Sequence, residues 1–252
     1  MACADPRLPA EVRLNFIKKV YGILLGMLLM TFGITIPFIF YTRETLWWFY
    51  ANQWLLVVVG AILTIQYVFN LCMLCEGCCG GSGLLQGYMR MMKTAPFNFI
   101  YLFIFAGCFG IVVGFICAQY TVQSVCFIFA LSAIIIMALT IYAIRTNADF
   151  TNSGAYMMVG MLGLLMMIML SVFFPTNSVW SSLIGGGGAM LFGFMIIMDT
   201  QKIFGSASQA YGGGQRQFEY SIDMYALAAW SLYLDYINFV LYLLMALGER
   251  RG

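Results

Sequence analysis

The chain has 252 residues, of which 63% are hydrophobic and only 9% charged, with a formal net charge of +2 and no histidine. Soluble domains carry about 25% charged residues, so this composition excludes a soluble globular protein and describes a membrane protein whose first partner is the lipid bilayer. So thin a positive charge also excludes a nucleic-acid surface, and without histidine any proton chemistry near neutral pH falls to carboxylates or thiols.

The opening "MACADPRLPAEVRLNFIKKV" contains Asp5 and Glu11, lacks an apolar signal core and is not an Arg-rich, acid-poor helix, so no cleaved targeting segment is expected. Polar breaks then divide the chain into seven apolar runs, at 20–41, 54–74, 97–117, 122–144, 155–174, 179–204 and 224–247. At about 1.5 Å per residue, each can span a hydrocarbon core of about 30 Å. The connections "AQYT" (118–121) and "PTNS" (175–178) read as tight hairpins, and the longest connection is 205–223. The expected fold is an all-α integral membrane protein, a seven-transmembrane-helix bundle. It comprises a cytoplasmic-side amino-terminal segment (1–19), a membrane domain (20–247) and a short tail (248–252).

Basic residues near the span ends set the orientation. Arg7, Arg13, Lys18, Lys19, Arg90, Lys93, Arg145, Lys202 and Arg216 fall on one side, against Arg43, Arg250 and Arg251 on the other. The amino terminus is therefore expected on the cytoplasmic side. Arg250 and Arg251 dissent from the rule, which means either a re-entrant last helix or a local exception; seven full crossings are the expectation.

After the second span, "NLCMLCEGCCGG" (70–81) gathers Cys72, Cys75, Cys78 and Cys79. Two-residue gaps between cysteines suit a tetrahedral zinc site. Against that, the cluster is flanked by glycines, no second ligand pair follows and the inferred compartment is reducing. Plain loop thiols are the favoured reading, ahead of reversible acylation at the membrane surface and of a structural metal, so no cofactor is expected. Nor is enzymatic activity, since neither an HExxH nor a GxSxG pattern occurs.

Two carboxylates stand where lipid should be. Asp235, in "AAWSLYLDYINFVLYLL", sits near mid-span, where an acidic residue costs about 2.5–3.5 kcal/mol on insertion scales. It must face protein or water, which puts the last helix at the bundle centre. Ser231 and Asn238, four before and three after it, form a supporting polar face. Asp199 lies five residues before Phe204 in the sixth span, where "IGGGGAM" (184–190) either permits close helix packing or breaks the helix. If Asp199 and Asp235 meet, they cannot both ionise cheaply and will titrate as a unit, giving a pH sensor that needs no histidine. Counting from their helix ends leaves them about 9 Å apart in depth, a gap that closes only if the last helix starts beyond the end of the sixth.

The segments "VRLNFIKKVYGILLGMLLMT" (12–31), "RTNADFTNSGAY" (145–156), "MDTQKIFG" (198–205) and "LYLDYINFVLYLLMALGER" (232–250) resemble, in order and spacing, the transmembrane Bax inhibitor motif family, most closely its lifeguard branch, of which this chain is a divergent member. The resemblance implies a pH-sensitive calcium or cation leak, or a cell-death modulator of internal membranes. In it the carboxylates matching Asp199 and Asp235 share a proton and close a path for Ca2+, with Arg90 or Lys93 as the candidate counter-ion. The membrane would be endoplasmic reticulum or Golgi-type, or alternatively the mitochondrial inner membrane. A second expectation keeps the family fold without transport: a structural subunit with membrane-protein partners in a large complex, such as a mitochondrial respiratory one.

Overall fold

The computed structural model describes residues 10–74, 83–146, 148–173, 178–204 and 222–251. Among them the regular elements are helices: α1 (Ala10–Phe40), α2 (Thr42–Ala51), α3 (Gln53–Leu74), α4 (Gly83–Lys93), α5 (Phe97–Cys117), α6 (Val122–Arg145), α7 (Gly154–Phe173), α8 (Ser178–Phe204) and α9 (Tyr225–Leu247), with 3-10 turns at Thr151–Ser153 and Ile222–Met224. The last five helices end within a residue of the limits that polar breaks predict. The first does not. Helix α1 begins at Ala10, inside the segment expected to precede the membrane domain, because Arg13, Lys18 and Lys19 interrupt the apolar run without interrupting helical hydrogen bonding. Helices α2 and α4 were not expected, since both mix charged with apolar residues and neither is long enough to cross.

Five helical stretches are long and apolar enough to cross a membrane: Glu11–Phe40, Phe97–Cys117, Val122–Arg145, Val179–Phe204 and Ile222–Leu247. The pair Thr42–Ala51 and Gln53–Gln66, bent by 87°, makes a sixth if it is one span, and Tyr156–Ser171 is apolar but shorter. The protein is thus an all-helical membrane protein with five to six candidate spans among the described residues, fewer than the seven expected. The expected runs at 54–74 and 155–174 account for the difference, one being part of a bent pair and the other falling short in length.

The helices fall into two compact units, one of Tyr21–Gln119 and one of Met1–Val20 with Tyr120–Gly252. In the first, α1 and α5 run parallel. The Thr31 hydroxyl donates to Met27 O (2.9 Å) and Ala106 O (3.2 Å), and the Thr35 hydroxyl to Thr31 O (2.8 Å) and Gly110 O (3.3 Å). Such contact needs bare backbone on α5, which Gly110 and Gly114 supply at a four-residue spacing. A Cβ on Gly110 would lie 3.0 Å from Ile34, and one on Gly114 would fall on the Phe38 ring. Gln66 of α3 links the remaining helices, donating to the Tyr88 hydroxyl of α4 (3.2 Å) and accepting from the Tyr101 hydroxyl of α5. Burial pushes the Tyr88 hydroxyl above its ordinary pKa, which keeps its proton available to this network.

In the second unit α9 packs on α8 and α6. Helices α8 and α9 are antiparallel: Gly185 faces Ala246, Gly188 faces Tyr242, Gly193 faces Phe239, and Ser231 meets Asp199. The four-glycine run does not break α8, which continues from Ser178 to Phe204. Two of its glycines face the seam: a Cβ on Gly185 would lie 2.5 Å from the Ala246 nitrogen and 2.8 Å from its Cα, and one on Gly188 would enter the Tyr242 ring. Gly186 and Gly187 have open space.

Helix α9 is continuous over 23 residues, or about 35 Å. Lys19 lies 3.5 Å from the ring centroid of Tyr225 at its start. At the other end the tail clasps the start of α6: Thr121 N–H donates to Glu249 O (2.9 Å), Glu249 N–H to Ser124 Oγ (2.9 Å) and Arg251 Nε–H to Tyr120 O (2.7 Å). The tail and Lys19 thus occupy opposite ends of α9, a continuous helix long enough to cross a membrane. Arg251 thereby bonds to the 118–121 connection.

Replacing Gly185 with alanine should force the backbones of α8 and α9 apart, at about 1–3 kcal/mol as for other overpacked sites. Gly187→Ala should be neutral or slightly stabilising, since alanine is the better helix former by about 1 kcal/mol. Thermal unfolding of the two variants in detergent, followed by circular dichroism, checks the contrast.

Candidate functional site

Asp199 on α8 and Asp235 on α9 are each only 3% exposed. The structure places them on facing helices, with Asp199 meeting Ser231, one helical turn before Asp235. Both oxygens of Asp199 are engaged: Oδ1 accepts from Lys202 Nζ at 3.1 Å, and Oδ2 accepts from the Ser231 hydroxyl. Asp235 Oδ2 is buried with no hydrogen-bond partner among the described residues.

The depth gap closes for two reasons. The helix register sets Gly188 against Tyr242 and Asp199 against Ser231, so Asp235 is one turn from its partner rather than nearly two. α-Helical side chains also lean toward their own amino terminus. In antiparallel helices Asp199 therefore leans deeper and Asp235 leans back, each toward the other.

The other sequence-predicted residues divide. Ser231 joins the site, while Asn238 turns back on its own helix and donates to Leu234 O at 2.8 Å. Arg90 and Lys93 are exposed on α4, in the other compact unit. Cys75, Cys78, Cys79 and the side chain of Cys72 lie outside the described residues.

Two participants escaped the sequence reading. Lys202 entered it only as a topological charge, yet it lies three residues after Asp199, a spacing that places two side chains on one helical face. Gln201, 1% exposed, points to another side of α8. Its Oε1 accepts from Phe150 N–H at 2.9 Å, and its Nε2 donates to Ala148 O at 2.9 Å. Asp149, between those residues, accepts from the Thr151 amide (3.0 Å) and hydroxyl (2.6 Å) and so starts the turn that leads into α7. The "ADFT" and "DTQ" segments are thus one clamp, tying the entry of α7 to the helix that carries Asp199.

A family model described as "Inhibitor of apoptosis-promoting Bax1" matches residues 13–252. The chain belongs to the Bax inhibitor family. Among relatives of this Bax inhibitor family member, human protein lifeguard 3 is 26% identical over 95% of the chain and 70% of its own length. Mouse protein lifeguard 4 is 28% identical over 93% of the chain and 84% of its own. An uncharacterized protein of Rickettsia prowazekii is 32% identical over 66% of the chain and 67% of its own. The resemblance drawn from the motifs alone is therefore correct, and the protein is an integral membrane protein of the Bax inhibitor and lifeguard family.

Gln201→Leu would leave the Phe150 N–H and the Ala148 carbonyl without their partner, at about 1–3 kcal/mol per buried group. The expected result is faster hydrogen exchange at residues 148–151 and a lower unfolding temperature, while Gln201→Glu, which keeps only the acceptor, should be intermediate at Phe150. Hydrogen exchange with mass spectrometry in detergent checks both.

Proposed function

We propose that this protein is a pH-sensitive calcium or cation leak of internal membranes, acting as a modulator of cell death, and that the Asp199 and Asp235 pair is its gate. The observation that carries this reading is the placing of two buried carboxyls on facing helices, one turn apart, with Lys202 paired to Asp199. A hydrogen bond between two carboxyl groups needs a proton on one of them. Asp199 accepts on both oxygens, from Lys202 and from Ser231, and in this proposal the pair shares one proton. The remaining negative charge is balanced by Lys202, so the site is neutral with one shared proton. Removing that proton creates a net negative site in a low-dielectric span, with the unpartnered Asp235 Oδ2 as an acceptor suited to a divalent cation. Acidification restores the proton and loosens that grip.

The surrounding architecture in this proposal is a seven-span bundle. The spans are α1, α3, α5, α6, α7, α8 and a central α9, with the amino terminus cytoplasmic. The endomembrane system is the proposed location.

In liposomes loaded with a calcium indicator, the reconstituted protein should leak calcium with a rate that changes with pH. Asp199→Asn and Asp235→Asn should each flatten that dependence. A pH profile surviving in both variants would contradict the gate. No leak from the wild type at any pH would favour instead a structural subunit of a larger membrane complex.

A further inference from the structure

Helix α2 is 10 residues long, about 15 Å and half of what a crossing needs. It opens with Arg43 and Glu44, both exposed. Its inner face is fixed to its own unit: the Thr42 hydroxyl donates to Phe38 O (2.7 Å), the Thr45 hydroxyl donates to Pro37 O (3.1 Å), and the buried Phe49 ring lies 5.2 Å from those of Phe38 and Phe115. Its outer face is aromatic. Trp47 is 73% exposed and Tyr50 68%, with Trp48 beside them, Tyr41 just before the helix and Trp54 (64%) just after it.

The bend after α2 has a local cause. Asn52 N–H bonds to the Trp48 and Phe49 carbonyls, and its side chain donates to Trp48 O at 2.9 Å, which ends the helix. Helix α3 then leaves at 87°. With 22 residues, or about 33 Å, α3 can cross alone and does not need α2 to complete it. A short helix perpendicular to a crossing helix lies along the membrane plane.

Composition fixes the depth. A helix facing acyl chains is mostly aliphatic, as on α7, where Met158, Val159, Leu162 and Met166 are among the exposed residues and the one exposed aromatic, Tyr156, stands at the start of the helix. Tryptophan and tyrosine instead combine an apolar ring with a polar tip and settle between tails and headgroups. Arg43 and Glu44 could not lie at acyl depth without the penalty of a buried charge, but at the headgroup level Arg43 meets lipid phosphate.

We propose that α2 is an interfacial anchor whose partner is phospholipid, with Trp47, Trp48 and Tyr50 at the glycerol level of the leaflet that α1 reaches at Phe40 and with Arg43 on a lipid phosphate. The bent pair is then neither a broken span nor a re-entrant loop. The surface continues the lipid-facing surface of the adjoining spans, and its occupant is the same bilayer.

The test compares wild type with a Trp47→Phe/Trp48→Phe variant, both full-length and reconstituted in phosphatidylcholine vesicles. The lipid carries bromine either near the glycerol or near the acyl-chain end, and the emission of the two tryptophans is taken by difference. The expected result is greater loss of that emission with shallow bromine than with deep bromine, and only partial loss with aqueous iodide on either side. Greater loss with deep bromine would overturn the proposal in favour of a re-entrant segment. Full quenching by iodide without effect of bromine would place α2 in water, and protection from all three quenchers would place it under protein. Either also overturns the proposal.

Discussion

The structure of the unit that carries α8 and α9 depends on one constraint: two carboxylates inside apolar helices must be kept from lipid. An isolated acidic side chain at mid-span costs about 2.5–3.5 kcal/mol, and two of them on separate helices would multiply that cost. Packing α8 against α9 turns the liability into an interaction, because each carboxyl then faces a polar partner. Ser231 and Lys202 complete the set around Asp199. The glycine seam serves the same end. Gly185 and Gly188 let the helices close to backbone contact at one end, which fixes the register that delivers Asp199 to Ser231 at the other.

Polar connections hold the ends of this arrangement. The tail clasp of Glu249 and Arg251 on residues 120–124 fixes the far end of α9, and Lys19 over the Tyr225 ring meets its start. Gln201 joins the turn before α7 to α8 two residues beyond Asp199. The proposed carboxylate pair needs such anchoring, since a shift of one helical turn, about 5.4 Å, would separate the two side chains.

Much of this was legible in the sequence, and the reasons are specific. The limits of α5 to α9 follow from where charged and polar residues stop an apolar run, so composition alone finds them. Asp199, Asp235 and Ser231 were legible because an acid in a lipid-length run has few explanations. Other features obeyed rules that a search for spans does not apply. Helix α1 runs through a basic turn because hydrogen bonding, not hydropathy, ends a helix. The α2 helix hid behind its charged first turn. The choice between packing and breaking at the four glycines needed to know which of them face α9, and only Gly185 and Gly188 do. Asn238 shares a face with Asp235 by spacing, but its amide bonds more readily to its own helix backbone, a local competition that spacing cannot rank.

The central claim is that Asp199 and Asp235 act as one unit joined by a shared proton. The most direct measurement is a double-mutant cycle on unfolding free energy at neutral pH, using wild type, Asp199→Asn, Asp235→Asn and the double variant in the same detergent. A shared proton predicts strong coupling, with the double change departing from the sum of the single changes by about 1 kcal/mol or more. Additivity within about 0.3–0.5 kcal/mol, the behaviour of independent sites, would contradict the account.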